Sequence, residues 1–515
     1  MQNKKLTDKS SLNRKELIFL ITAAIVTITI SSTCSPLYPF NPWDDTNCFF
    51  TLGRGIIHGL VPYRDLYEQK GPLLYFIYAC AALISEKSFI GAWIIECVMA
   101  SLYAVFSWKI AKLFAPSAKL SIILIPVLIG LVYSSRLFNF GGNAEELCFP
   151  LLTVALYFGL RAIVNGDGLP SNTEALVSGI MTASLFWIKY TFIGFMAGFC
   201  IYILIISIKN KCFSRLWSLV WRFIAGFLII SIPILIYFLA TNSLNDLWEA
   251  YFYNNIFFYH GGKIKNGIMS IPVIKNIYIP VMSTYVLSTH YPKFGIMLLV
   301  SAISPFFIDK KHIKKSLLLF YITFTFTAGL VFTRNTNMYY YLYLLAYCFG
   351  LILIPIIRLS GFIMKYLKEN KRFISYLGSA FLIICYAIVL LTNKNSYLIF
   401  QSKDFLVQYR YAEIIKGTPN AKVLTYDVMD SGFYTAAGLL PQNKYFCFLN
   451  IETNFPPILE EQERLIEEGY FDYIITTFFC EKEMKNYKLI AEDSHIYVDY
   501  TGEKCRDGFR LYKRV

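Results

Sequence analysis

The sequence predicts a polytopic α-helical membrane protein with a C-terminal α/β domain. Three observations carry this. Of 515 residues, 56% are hydrophobic and only 16% are charged, outside the usual composition of soluble globular chains. Apolar stretches near the ~20 residues that a spanning helix needs recur about eleven times before Thr392. From Gln401 onward the balance changes: the tail holds 14 basic and 18 acidic residues, net −4, against +18 for everything before it.

The first span is read at Leu17 to Ser35. It resembles the apolar core of a signal peptide but is long enough to cross, so it is taken as an uncleaved helix. Lys4, Lys5, Lys9, Arg14 and Lys15 precede it and place the N-terminus inside, because basic residues near helix ends stay on the cytoplasmic side. The next spans run over Ser88 to Phe114, Ala118 to Ser134, Glu146 to Ile163, Ala175 to Trp187, Phe192 to Ile208 and Leu216 to Ala240. The last four cover Phe294 to Ile308, Ser316 to Phe332, Met338 to Ile357 and Phe373 to Thr392. The cytoplasmic turns 109–119, 161–173, 209–215, 309–315 and 358–372 are then nearly all rich in Lys or Arg, as the same rule requires. This threading depends on "GPLLYFIYACAALIS", Gly71 to Ser85, not crossing. It is short for a span and opens on a Gly-Pro breaker, so it is read as a helix lying along the outer surface.

The threading divides the chain into a membrane domain, 1–392, and a soluble extracytoplasmic domain, 393–515. Four regions face outside: 36–87, 135–145, 241–293 and the tail. In the tail, "AKVLTYD" and "FDYIITTF" read as strands, "ILEEQERLIEEGY" as an amphipathic helix between them, and "HIYVDY" with "FRLYKRV" as a closing hairpin. The excess of positive charge follows from cytoplasmic loops and does not point to nucleic acid. Most of the twelve cysteines lie in apolar segments, as small hydrophobes do. Cys480 and Cys505 can pair in an oxidising compartment, with Cys447 left over. His260 and His290 lack ligand spacing, and no metal site or cofactor is expected.

The densest ionisable cluster follows the first span, in "WDDTNCFFTLGRGIIHGLVPYRDLYEQKGPLLYFIY". Asp44 and Asp45 are candidate general bases. Arg54, Arg64 and Lys70 are cations suited to a phosphate at headgroup depth. Solvated or mutually paired charges are the simpler reading of such a loop. The second outer loop, "SSRLFNFGGNAEELCFP", holds Arg136, Asn143, Glu145 and Glu146; its two acids serve either as partners of a helix dipole or as site residues. Lys189, in "FWIKYTFIG", either snorkels or binds phosphate. Glu96, inside a span, is either a functional group or a partnered structural acid. Arg334 sits beside the run "NTNMYYYLYLL", whose tyrosines read more readily as an interfacial aromatic belt than as a platform for a sugar.

At these residues the chain resembles the lipid-phosphosugar-dependent glycosyltransferases of the GT-C superfamily, which includes the protein O-mannosyltransferases and the aminoarabinose transferase of lipid A. It looks most like the bacterial branch labelled RgtA/B/C/D-like. The resemblance rests on "DDTNCFFTLGRGIIHGLVPYRDLYEQKGPLLYF", on "GGNAEEL" and on "WIKYTF", in that order, and covers the chain to about Thr392. It implies Asp45 as base with Asp44 beside it, and Glu145 or Glu146 as a second acid. Lys70 is the implied donor-phosphate cation, with Arg64, Lys189 and Arg334 as further phosphate-binding candidates. One departure is the late loop, where relatives often carry a histidine and this chain has "NTNMYYY".

The implied activity is transfer of a hexosyl or pentosyl group from a polyprenyl-phosphate donor at the outer face of the plasma membrane to an envelope glycan, lipid or protein, with inversion. A transporter or flippase of lipid-linked glycans is the rival of another class. It would put its charges near the bilayer midplane and tends to show repeats. A glycan polymerase or ligase, with a diphosphate-linked donor, is a third reading.

Overall fold

The structure, a computed structural model, describes residues 12–114, 120–258, 311–331, 338–347, 391–449, 454–498 and 504–515, with single positions between them. The chain opens with α1 (Arg14–Ser31), started by a capping box in which Asn13 and Glu16 satisfy each other's backbone amides. Two shorter helices follow, α2 (Asp44–Ile57) and α3 (Pro72–Ile84). Then come α4 (Ile90–Phe114), α5 (Leu120–Tyr133), α6 (Ala144–Asn165), α7 (Asn172–Ile188), α8 (Gly194–Lys209) and α9 (Phe213–Ala240). A further helix covers Ile313–Val331.

Among the described residues, four helices are long and apolar enough to cross a membrane: Ile90–Phe114, Ala144–Val164, Tyr190–Lys209 and Phe213–Ala240. With its 13 residues, α3 measures about 20 Å, short of the ~30 Å hydrocarbon core. The spans expected at Phe294 to Ile308 and Phe373 to Thr392 lie mostly outside the described residues. Of the span expected at Met338 to Ile357, the described part is a 3-10 helix, Met338–Tyr347. The span expected from Ala175 starts earlier, because Ser171 and Glu174 form a second capping box ahead of α7.

Small residues set the tightest packing. α7 and α9 meet at Gly179 and Gly226, where a Cβ would lie 2.0 Å from Phe223 O and from Leu176 O respectively. Such contacts let helix backbones approach in a medium that supplies no hydrophobic drive between them. α2 lies on α3 with Phe49 against Tyr75 and Tyr78, at ring separations of 6.5 and 5.7 Å.

The tail is a four-stranded sheet of β1 (Val423–Tyr426), β2 (Tyr473–Thr477), β3 (Tyr487–Val498) and β4 (Lys504–Arg514), in the order β1-β2-β4-β3. β1 and β2 are parallel, joined through the amphipathic helix Pro457–Glu467, while β2–β4 and β3–β4 are antiparallel. Leu424, Ile474 and Phe471 are buried in one cluster against the sheet, and Ile475 and Leu511 in another, which is continuous with the core of the helices. The hairpin is longer than expected, and a helix at Val407–Ile415 precedes the sheet. Cys480 is a free thiol, and the side chain of Cys505 lies outside the described residues.

The tail is fastened to the start of the chain. Asn393 Nδ2 donates to Ile30 O at 2.6 Å, and Asn395 Nδ2 donates to Ser31 O and Asn139 O at 2.9 Å each. Further on, Tyr67 N donates to Lys444 O at 2.9 Å, and the Tyr67 ring stacks on Phe455.

Candidate active site

Asp44 and Asp45 begin α2, where the free amides of a helix N-terminus favour negative charge. Neighbouring positions on a helix point about 100° apart, so the two carboxylates have different surroundings. Asp44 accepts a hydrogen bond from Ser431 Oγ at 2.6 Å. Asp45 is 7% exposed, and among the described residues no hydrogen bond or ion pair holds its carboxylate. One turn along from Asp45 lies Phe49, and the Lys70 ammonium sits 5.7 Å from that ring. The helical period thus puts Asp45 on the side of α2 that carries Lys70.

Lys70 is also buried, 3.6 Å from Glu68 Oε1. Its backbone carbonyl accepts from the hydroxyls of Tyr63 and Tyr75, at 2.6 and 3.0 Å. The next residue must be glycine: a Cβ on Gly71 would lie 2.0 Å from Trp187 O. That approach allows Gly71 N to donate to Ile188 O at 3.0 Å. Lys70 and Lys189 are thereby neighbours across two chain segments, each one residue from this bond.

Lys189 occupies the break between α7 and the 3-10 turn Tyr190–Ile193. Its ammonium is 2.8 Å from Glu145 Oε1, 3.6 Å from the Tyr340 ring centroid and 5.0 Å from that of Phe192. Asn143 caps α6 by accepting from Glu146 N at 2.8 Å, and Glu146 Oε2 accepts from Gly142 N at 2.9 Å. The two adjacent acids therefore divide. Glu145 pairs with a cation, while Glu146 is fully buried, holds its own loop and lies against Glu96. Thr46 Oγ1 and Asn41 Nδ2 both donate to Gly141 O, at 3.0 and 3.3 Å, which joins the first loop to the second beside Asp45.

The structure differs from expectation at the tyrosines. Tyr340 and Tyr341 are 4% and 0% exposed, and Tyr339 meets the edge of Trp43 at 5.2 Å. Their run turns inward onto the site and is not a belt at the membrane surface. Arg64 is engaged elsewhere: it forms paired bonds to Asp65 at 2.8 Å each and donates to Thr241 O at 3.0 Å. That guanidinium holds the Asp65 carboxyl below its usual range. Arg54 points to the tail, donating to Tyr434 O at 3.3 Å. Arg334, His260 and His290 lie outside the described residues. Among the described residues no group of His, Cys, Asp and Glu could hold a metal ion.

Three participants were not anticipated from the sequence. Ser431 and Asp430 reach α2 from the tail, where Asp430 accepts from Thr51 Oγ1 at 2.5 Å and from Gly432 N at 2.9 Å. Burial pushes the Asp430 carboxyl up to about 6, against the pull of those two bonds and of Arg54. Lys394, in the linker, donates to Asn139 Oδ1 and lies 4.0 Å from the Phe140 ring. Burial, and then Arg136 nearby, push its ammonium down to about 7.

No family model matches the sequence, and no curated protein matches it. Among solved structures, ArnT from Cupriavidus metallidurans bound to undecaprenyl phosphate is similar at a TM-score of 0.54 and 10% identity, over 96% of this chain and 97% of that one. The same protein in its apo state gives a TM-score of 0.54 at 9% identity, with the same coverage. The apo oligosaccharyltransferase of Archaeoglobus fulgidus, at a TM-score of 0.43 and 12% identity over 89% of this chain and 69% of that one, is too dissimilar to carry an inference. The chain has the fold of ArnT along nearly its whole length, which is the GT-C fold that the sequence resemblance implied.

Proposed function

We propose that this chain is a membrane-bound glycosyltransferase that moves a hexosyl or pentosyl group from a polyprenyl-phosphate donor to a hydroxyl of an extracytoplasmic acceptor. The acceptor is an envelope glycan, lipid or protein. The observation that carries the reading is Asp45, a buried carboxylate at a helix N-terminus without a partner among the described residues, on the side of α2 that carries Lys70. Asp45 takes the proton of the acceptor hydroxyl as its oxygen attacks the anomeric carbon. The bond from that carbon to the phosphate oxygen breaks, and polyprenyl phosphate leaves. A single displacement of this kind inverts the anomeric centre.

Lys70 and Lys189 stabilise the charge that grows on the leaving phosphate. They flank the Gly71–Ile188 backbone bond on two chain segments, which supports a shared role at one phosphate. Glu145 orients Lys189, with Arg334 as a further cation and Arg64 at the periphery. The resemblance in fold to ArnT, solved with undecaprenyl phosphate bound, supports a lipid-phosphate donor. The reading places the site and tail on the outer side of the plasma membrane, with the N-terminus inside.

Reconstituting the wild type and Asp45→Asn with polyprenyl-phosphate sugars, and following donor consumption, tests the assignment. Full turnover by the variant removes Asp45 as the base. Movement of donor between leaflets without its consumption identifies a transporter instead. A reporter active only outside the cytoplasm, fused after Lys70 or Val515, checks sidedness.

A further inference from the structure

The side of α2 turned from Lys70 is covered by the C-terminal domain. Asp44, Cys48, Thr51 and Arg54 follow one another at spacings of four, three and three residues, which aligns them along one helical face. Each meets a tail residue: Asp44 meets Ser431, Cys48 lies 3.8 Å from the sulfur of Cys447, Thr51 donates to Asp430, and Arg54 donates to Tyr434 O.

The segment carrying Ser431 is built for close contact. Gln408 Nε2 donates to Ser431 O at 3.0 Å from behind. Gly432 adopts φ +91°, in the left-handed region, and a Cβ there would lie 2.2 Å from the Phe40 ring. A side chain at this position would lift the segment off α2. The Ser431 hydroxyl has two acceptors in reach, Asp44 Oδ1 at 2.6 Å and Met429 O at 3.4 Å, and the shorter contact to a carboxylate takes the proton.

We propose that Ser431 is a positioning residue of the active site: by holding Asp44 against the C-terminal domain, its hydroxyl fixes the first turn of α2 so that Asp45 alone presents its carboxylate to the acceptor. The Ser431 hydroxyl bonds Asp44 and not Asp45, so it acts through Asp44. The inference rests on the proposed role of Asp45 and gives the tail a part in catalysis besides folding support.

The test uses the full chain in proteoliposomes with a polyprenyl-phosphate sugar. Ser431→Ala is expected to lower kcat about ten- to a hundredfold, the scale of a hydrogen bond to a charged group, with donor KM unchanged. Ser431→Thr, which keeps the hydroxyl, should restore most of the rate. In an Asp44→Ala background the alanine change at Ser431 should cost much less, because no acceptor is left for the hydroxyl to hold. Limited proteolysis reports whether the tail stays docked. Wild-type kcat in Ser431→Ala overturns the proposal, as does a loss that Ser431→Thr leaves in place while the tail becomes cleavable. Asp45→Asn is measured alongside. An active Asp45→Asn overturns the base assignment and this inference with it; an inactive one beside an unaffected Ser431→Ala overturns only the role of Ser431.

Discussion

The Lys189 ammonium lies between the Glu145 carboxylate, at 2.8 Å, and the face of the Tyr340 ring, at 3.6 Å. Both partners are almost fully buried, so charge, counter-charge and ring hold one geometry. Removing the cation strands a buried carboxylate, which typically costs about 3–5 kcal/mol. Lys189→Ala should therefore lower the thermal midpoint as well as donor turnover. Lys189→Arg keeps the charge but misfits the space between acid and ring; it should keep most of the stability and raise donor KM. A Lys189→Ala protein as stable as the wild type would show that the pair contributes nothing.

Asp44 and Asp45 should separate in kinetics as they do in geometry. Loss of a general base removes on the order of 10²–10⁴ in rate. Asp45→Asn should fall in that range, and Asp44→Asn should lose far less, since an amide oxygen still accepts from Ser431. Single-turnover transfer by the two purified variants measures the difference, and equal losses would contradict it.

Asp430 makes the tail's docking sensitive to pH. Its folded value of about 6 lies above the ordinary 3.8, so between these values the folded chain holds a proton that the unfolded chain has released. Stability is then greatest below about pH 4, falls as pH rises toward 6, and stays low above that, by about 3 kcal/mol at most. Thermal midpoints from pH 4 to 7.5 should show this fall in the wild type and lack it in Asp430→Asn.

Lys394 has the opposite slope. Its ammonium titrates near 7 in the folded chain, against an ordinary 10.5, so folding expels a proton between those values and stability rises with pH across them. Lys394→Met should raise the thermal midpoint at pH 6 and change it little at pH 10. A variant less stable at pH 6 would show that its bond to Asn139 outweighs the cost of burial.

Gly71→Ala tests the approach that brings the two lysines together. The added carbon would lie 2.0 Å from a backbone oxygen, so the segment must move, at a cost of about 1–3 kcal/mol for overpacking. Donor KM should rise more than stability falls, because Lys70 shifts relative to Lys189. A normal KM at reduced stability would refute the link.

The long apolar helices and the shortness of α3 were legible because length and hydropathy alone decide them. The division of Asp44 from Asp45 was half legible: their neighbours in sequence suggested a preference, and the helical period explains it. Tyr340 was misread because an inward tyrosine and one at a membrane surface look alike in sequence. The hairpin was read short because the stretch Lys485 to Asp493 is too polar to signal a strand. Ser431 and Asp430 had no local signature, since their partners lie 387 and 379 residues away.

Those separations bear on how the protein comes into being. The helix bearing the acids is synthesised 387 residues before the serine that clasps it, so at about 5–20 residues per second roughly 20 to 80 s pass between them. For that interval the nascent chain has its acids but no clasp. On the proposed function, a chain that stops before Ser431 carries Asp45 without the contact that positions it, and turns over donor at best at the reduced rate expected of Ser431→Ala.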